Sequence, residues 1–187
     1  MAEKCRCAWV TDDQIYKDYH DNEWGRPVHD DQKLFEAIVL DAFQAGLSWL
    51  TILKKRENFR EAFHGFDVQK VASYNTRQVD LLMQNAGIVR NRLKIQAATT
   101  NARLIIRMQE HHGSFDKYIW QFVNGKPIIN HRKTIAEIPA TSPESDAMSR
   151  DLKKRGFKFI GSTICYAFMQ ATGMVNDHTV DCFRYKA

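Results

Sequence analysis

Cysteine and histidine fall in matched pairs near the two ends of the chain: Cys7 with His20, and His178 with Cys182. Thiolate sulfur and neutral imidazole nitrogen both suit a borderline-soft ion, and a closed Cys₂His₂ set would make a tetrahedral zinc site tying the N-terminal segment to the C-terminal one. The usual knuckle, two cysteines separated by two to four residues, is missing, since Cys5-Arg6-Cys7 leaves a single residue between them. His178 and Cys182, four apart, share one face if their segment is helical. Chance is the competing explanation, because four cysteines and seven histidines scattered through 187 residues will place some near the termini.

Asp41 is the second feature. It follows Leu34 by seven residues and Ile38 by three, so a helix across this stretch carries a carboxylate in its apolar stripe. An ionised group buried there is costly unless paired. Either it sits at the stripe edge and reaches water or an arginine, or a pocket uses it. The string Gln44-Ala45-Gly46-Leu47-Ser48-Trp49 reads as a helix stop, a glycine turn and a new helix capped by Ser48, which brings an aromatic beside Asp41. Trp9, Tyr16, Tyr19 and Trp24 complete the tryptophans and tyrosines of the first fifty residues. Aromatics are ordinarily core, yet so many near one carboxylate can line a slot that stacks a flat ligand.

A third feature runs from Val79 to Lys94: a helix ending at Asn85-Ala86-Gly87, a tight connection through Ile88 and Val89, then a basic helix. Such a hairpin can present backbone N–H groups to a phosphate, with Arg90, Arg92 and Lys94 adding charge-assisted contacts. It is also the commonest way to join two packed helices. Walker loop, G-x-S-x-G elbow and H-E-x-x-H helix are absent, so phosphoryl transfer, serine hydrolysis and zincin chemistry lack motif support.

Helices must position these groups. Apolar residues recur at three and four, as in Leu34, Ile38 and Ala42, or Ile88, Ile95, Ala98, Ala102 and Ile105, which predicts an all-α chain. Helices are expected near 12–20, 31–45, 48–63, 67–73, 77–85, 91–111, 115–123, 143–155 and 162–172, with a capping box at Thr11 to Gln14, Pro143 opening its helix, and Gly113, Gly156 and Gly173 as C-terminal caps. Pro127 to Ile129 and Phe157 to Ile160 are strand-like but make at most a small ribbon. The turn-rich stretch from Asn124 to Pro143 holds three of the four prolines and could divide a main body from a C-terminal helical part.

A length of 187 residues suits one domain. The formal charge of +5 and a pI of about 9.0 favour a polyanionic partner such as nucleic acid, or simply serve solubility. The charge concentrates in Lys54-Lys55-Arg56, in Arg90 to Lys94 and in Lys153-Lys154-Arg155, each of which is equally readable as a solvated helix face. Met1 to Arg6 is polar, and no apolar run approaches the roughly 20 residues that span a membrane, so the expectation is a cytoplasmic protein with reduced cysteines and no membrane partner.

Five strings taken together, Tyr19-His20-Asp21-Asn22-Glu23-Trp24-Gly25, Gln44 to Trp49, Leu53-Lys54-Lys55-Arg56-Glu57-Asn58, Leu152-Lys153-Lys154-Arg155-Gly156-Phe157-Lys158-Phe159 and Asn176-Asp177-His178, closely resemble the bacterial type I 3-methyladenine DNA glycosylases, essentially end to end. The resemblance implies a single helix-hairpin-helix glycosylase domain over residues 1–187, monomeric, that removes 3-methyladenine from alkylated duplex DNA and carries one structural zinc ion. It maps the zinc ligands onto Cys7, His20, His178 and Cys182, leaving Cys5 as a spare thiol. The base pocket maps onto Tyr19 and Trp49, with Trp9, Tyr16 and Trp24 as supporting walls, and the hairpin onto Ala86, Gly87 and Ile88. Type I enzymes lack the catalytic aspartate that follows the hairpin in most of the superfamily, and here Gly125 to Asn130 offers no carboxylate, only Asn130 and the adjoining His131.

One departure stands out. Where the resemblance leads one to expect a glutamate reading the base edge, in a string like Leu-Glu-x-x-Gln-Ala-Gly, this chain has Leu40-Asp41-Ala42-Phe43-Gln44-Ala45-Gly46. Aspartate keeps the charge but withdraws its oxygens by about 1.5 Å, one carbon–carbon bond. The implied sequence of events is docking of phosphates on the hairpin, wedging of Gly46-Leu47 into the duplex, flipping of the base onto Trp49, and hydrolysis with Asp41 as the catalytic carboxylate and without strand cleavage. Two other classes compete: a zinc-stapled module that binds alkylated DNA without excising the base, and a hydrolase whose zinc activates water through three ligands and an open position.

Overall fold

The computed structural model describes residues 4–185. Nine α-helices run in chain order among the described residues: α1 (Gln14–Asn22), α2 (Asp31–Gln44), α3 (Trp49–Ala62), α4 (Val68–Ala72), α5 (Thr76–Gln84), α6 (Arg92–His112), α7 (Phe115–Trp120), α8 (Pro143–Lys154) and α9 (Ser162–Ala171). The all-α expectation holds, with small shifts at the ends. α1 starts at Gln14 because Asp13, not Thr11, accepts the N–H of Ile15. Ser48 caps α3 and Ser142 caps α8, with Pro143 in its first turn, while Gly113 closes α6 in the left-handed region at φ 85°. α7 is shorter than expected because the chain tightens into a 3₁₀ turn at Gln121–Val123.

Only one strand pair forms among the described residues: β1 (Ile128–Ile129) lies parallel to β2 (Val175–Asn176). Phe157 to Ile160 is not a strand. Asn101 accepts the N–H of Lys158 at 2.8 Å and donates to its carbonyl at 3.0 Å, holding the segment as a loop. The segment after β2 is built of turns rather than helix, so His178 and Cys182 do not share a helical face; the turns closed by Cys182 N–H on Thr179 and Tyr185 N–H on Cys182 bring them together instead.

α2 sits at the centre, packed by α3, α6, α7 and α9. Leu34, Phe35 and the whole run Ile38 to Phe43 are buried, so the helix has almost no wet face over its second half. The apolar stripe read from the sequence is therefore too narrow, and the stripe-edge reading of Asp41 fails: no side of α2 is left at that level for a carboxylate to reach water. A separate small cluster of Cys7, Tyr19, Trp24, Leu53 and Cys182, with Trp9, Ile15, Tyr16 and Trp49 against it, packs where the two chain ends meet.

Candidate active site

Nothing in α2 beyond its central packing explains why Asp41 should be charged-type. The side chain is 3% exposed, and its Oδ2 has no hydrogen-bond partner. Burial alone pushes its carboxyl well above the ordinary value. Trp9, Tyr16, Tyr19, Trp24, Gln44, Trp49 and Gln170 join it around a cavity of about 340 Å³, near the lower end of the roughly 300–1,000 Å³ usual for small-ligand sites. The indole N–H groups of Trp9 and Trp49 are likewise buried and unpartnered. The cavity thus holds two spare indole donors and one spare carboxyl oxygen among aromatic and aliphatic walls, with Gln44 and Gln170 beside them, which is the chemistry of a slot for a flat heterocycle.

All five aromatics named from the sequence line this cavity. Tyr19 and Trp49 face each other at 5.4 Å between ring centroids, Trp9 contacts Tyr16 and Trp24 at 5.0 Å each, and Trp9 reaches Tyr19 at 6.5 Å. Trp9, Tyr16 and Trp24 stand in the lining, as walls of the cavity. Sequence reasoning missed Ile135, Ile138, Ala167 and Ala171 as wall residues. The spacing of four along α9 could have flagged Ala167 and Ala171; the irregular stretch holding Ile135 and Ile138 carries no such signal.

Cys7, His20, His178 and Cys182 come together fully buried, all four donor atoms within 4.8 Å of one another. The tautomers are fixed from outside. His20 Nδ1 donates to Asp21 Oδ1 at 2.8 Å, and His178 Nε2 donates to the Trp24 carbonyl at 3.2 Å, so His20 Nε2 and His178 Nδ1 turn their lone pairs inward. Arg6 grips Asp21 through two bonds of 2.8 and 2.7 Å. Burial works against the Asp21 carboxylate, but Arg6 and His20 outweigh it and hold its pKa near 2. The hydrogen bond from Cys182 lowers the Cys7 thiol to about 7.

Those donors fit a tetrahedral ion. Bonds of roughly 2.3 Å to sulfur and 2.0–2.1 Å to nitrogen give a nitrogen–sulfur edge of about 3.5 Å. Cys7 Sγ to His178 Nδ1 is 3.4 Å, Cys182 Sγ to His20 Nε2 is 3.4 Å, and Cys182 Sγ to His178 Nδ1 is 3.5 Å. Four protein ligands would saturate such a tetrahedron and leave no place for an activated water, against the catalytic-metal alternative. Cys5 lies outside the cluster, exposed, with its thiol 3.6 Å from Asp181.

At the tip between α2 and α3, Gly46 takes φ 85°, and Leu47 is 40% exposed. The hairpin from α5 to α6 is less open. The N–H of Gly87 donates to Asn85 Oδ1 at 2.8 Å, that of Ile88 donates to the Asn85 carbonyl, and the Ile88 side chain is buried. Gly87 is needed there for close approach, since a Cβ would lie 3.0 Å from Asn58. The basic clusters are also largely engaged: Lys54 with Asp13, Arg56 with Glu23, Arg92 with Asp80 and Arg155 with Asp151.

A carboxylate does stand beside the β1 loop, and it comes from far away in the chain. Asp177, wholly buried, accepts from Asn130 at 2.7 Å, Tyr166 at 2.6 Å and Gln170 at 2.7 Å. The expectation that the neighbourhood of Gly125 to Asn130 offers no carboxylate therefore holds along the chain but not in space: the fold brings Asp177 there, with its oxygens taken up by these three donors.

The fold and the comparisons together put this helical protein, with its buried, unpartnered carboxyl in an aromatic cavity, in the DNA glycosylase class. The chain belongs to the methyladenine glycosylase family, whose model matches residues 9–185. It is 54% identical over 180 residues to DNA-3-methyladenine glycosylase 1 of Escherichia coli (strain K12), covering 96% of each chain. A crystal structure of 3-methyladenine DNA glycosylase I superposes with a TM-score of 0.95 at 52% identity, covering 97% of this chain and all of the other. A tyrosine-to-phenylalanine variant of 3-methyladenine DNA glycosylase I, solved in complex with 3-methyladenine, matches at TM-score 0.94 and 37% identity over 97% of this chain and 98% of its own.

Proposed function

We propose that this protein excises 3-methyladenine from alkylated duplex DNA by hydrolysing the N-glycosidic bond, as a monomeric, cytoplasmic, single-domain helix-hairpin-helix enzyme with one structural zinc. The observation that carries this reading is the unpartnered, buried carboxyl of Asp41 inside an aromatic cavity. N3-methylation makes the base a cation while it is still bonded to the sugar. Such a base meets a carboxylate that has no other partner, and Trp49 and Tyr19 offer ring faces that attract positive charge. A neutral purine offers no charge to repay ionisation of Asp41.

The hairpin at Ala86, Gly87 and Ile88 docks the phosphate backbone, and the Gly46-Leu47 tip fills the gap left in the duplex when the damaged nucleotide turns out. With the amides of Gly87 and Ile88 engaged internally, the hairpin contributes mostly shape and the charge of Arg90. A methylated adenine leaves without further protonation, so the protein need not supply a strong acid. Asp41 holds the departing base by its edge, and the aromatic walls keep bulk water off its face. Water then attacks the sugar carbon as positive charge develops there. Among the described residues no lysine lines the cavity to form a Schiff base, and strand cleavage is not expected.

Cys7, His20, His178 and Cys182 would hold the zinc, which supplies cross-linking of the chain ends and no chemistry to the base. Tyr19 precedes His20 in α1, so fixing the ligand also fixes one wall of the cavity. The test is release of free 3-methyladenine from methylated DNA, with unmodified DNA as control. Binding of alkylated DNA without release by the wild-type protein would reduce it to a recognition module.

A further inference from the structure

Two lysines that belong to the basic clusters turn inward, and Lys94 is the more unusual. It is 7% exposed, and its Nζ donates to the carbonyls of Phe43 at 3.0 Å and Ala45 at 2.7 Å. Those are C-terminal carbonyls of α2, which end without a helical partner and carry the negative pole of that helix. Lys94 itself sits in the first turn of α6, where its own helix disfavours a cation. Its placement is thus explained by α2 and not by α6. Burying an ammonium is costly, and two carbonyls at short range offset that cost.

The neighbouring brace comes from α3. Lys55 Nζ donates to the carbonyls of Ala86 at 3.2 Å and Gly87 at 3.3 Å, and Asn58 Nδ2 reaches the Gly87 carbonyl at 3.4 Å. The connection between α5 and α6 is therefore bolted to α3, while α6 is bolted to the end of α2. Between the two bolts lies the exposed tip Gly46-Leu47-Ser48. Asp41 stands one turn before Ala45 on α2, and Trp49 opens α3.

We infer that Lys94 is a positioning residue that couples docking of the hairpin on DNA to insertion of the Leu47 tip and to the geometry of the cavity, and that it makes no phosphate contact itself. This rests on the reading above in which the hairpin docks and Leu47 inserts. A strand pressed against the hairpin loads α6 directly, and the ammonium passes that load to the last turn of α2. Without it, the tip is held by its own backbone and by the Ser48 side chain that caps α3, and no hydrogen bond among the described residues joins it to α6.

The experiment compares Lys94→Met, which keeps the length and removes the charge, with Lys94→Arg, which restores donors. Four quantities are read for each: melting temperature, affinity for methylated duplex with its salt dependence, affinity for free 3-methyladenine by tryptophan fluorescence, and the single-turnover rate of base release. The expected result for Lys94→Met is a single-turnover rate lower by about 100-fold, the scale of a misplacement near 1 Å. Free-base affinity stays within about twofold and the salt slope is unchanged, because the phosphate contacts are intact. Lys94→Arg recovers part of the rate.

A salt slope shallower by about one unit would make Lys94 a phosphate contact and overturn the inference, as would an unchanged rate. Equal loss of free-base affinity and rate would also overturn it, since the residue would then merely support the cavity. If Lys94→Met does not fold, Lys94→Gln, which keeps one donor group, is held to the same outcomes. Leu47→Ala run in parallel separates the two ideas. A rate that falls in Lys94→Met but not in Leu47→Ala rejects insertion and keeps the brace, and the reverse rejects the brace. Failure of the wild-type protein to release base overturns both.

Discussion

Tyr19 and Trp49 stand 5.4 Å apart, tilted by 55°, and form a partition between two cavities. On one side is the aromatic slot with Asp41. On the other is a space of about 380 Å³ walled by the ion pairs Arg56–Glu23 and Arg60–Glu36, with Arg26 and Lys33 nearby. Those four cations outnumber the two carboxylates, yet burial is what raises the Asp41 carboxyl, so it gains little from the charges behind the partition. Its ionisation is left to whatever enters the slot.

Asp41→Asn is expected to lower base release by about 10²–10³-fold, the scale of removing one oriented electrostatic partner. Full activity would remove the carboxylate from the mechanism. Asp41→Glu extends the oxygens by one methylene, and a faster rate there would show that the shorter side chain limits this enzyme.

Asp41 also sets a pH dependence. A carboxyl whose pKa is raised by folding binds its proton more tightly in the folded protein than in the unfolded chain. Stability therefore falls as pH rises from the ordinary value of 3.8 through the raised one. Asp41→Asn should flatten that part of a plot of melting temperature against pH. In the same window, binding of a cationic base should release a proton, measurable by calorimetry in buffers of different ionisation enthalpy. No proton release would place the charge elsewhere.

Removing metal should cost fold before chemistry. A loss of roughly 4 kcal/mol, modest beside the 10–16 kcal/mol of zinc binding in small peptides, corresponds to about 8–16 °C in melting temperature for a chain of this size. Calorimetry with and without a strong chelator measures it. Turnover abolished at unchanged melting temperature would instead indicate a metal acting on water. Asp21→Asn, which loosens the orientation of His20, should weaken metal affinity by about 10–100-fold in a chelator competition.

Gly87→Ala tests the bolt on the hairpin. Its Cβ would meet Asn85 Oδ1 at 2.9 Å and Asn58 Cβ at 3.0 Å, so the turn must shift. Overpacking of this kind costs about 1–3 kcal/mol. The expected outcome is a lower melting temperature and weaker duplex binding, with affinity for free base retained. Unchanged duplex binding would remove the hairpin from the DNA interface.

Asp177→Ala leaves the donors of Asn130, Tyr166 and Gln170 without their acceptor, a loss of about 3–5 kcal/mol for a broken buried network. Thermal unfolding should register it. Base release per folded molecule should stay within about threefold, and a larger drop would make Asp177 part of the chemistry.

Much of this molecule is legible along the chain because the signals are local. A cap needs a side-chain oxygen two or three residues from an N–H, a helix needs a period, and a left-handed stop needs glycine, so Ser48, Ser142 and Gly113 mark their ends directly. The ligand types at Cys7, His20, His178 and Cys182, and the aromatics from Trp9 to Trp49, also stand out by composition alone. The shared face that a helix would have given His178 and Cys182 does not form; turn hydrogen bonds within the last residues bring them together instead.

The sequence by itself determined the helices, the donor set and the presence of one carboxylate in the apolar stripe of α2. Tertiary structure decided what that carboxylate and the lysines do. Asp41 is buried because four helices surround α2, which no period within α2 can report. Lys94 holds carbonyls 49 and 51 residues away, and Asp177 collects a donor 47 residues away. Charge looks the same in sequence whether it meets solvent, phosphate or a helix end. Only packing, which sets the distance to each acceptor and the water left around it, selects among them.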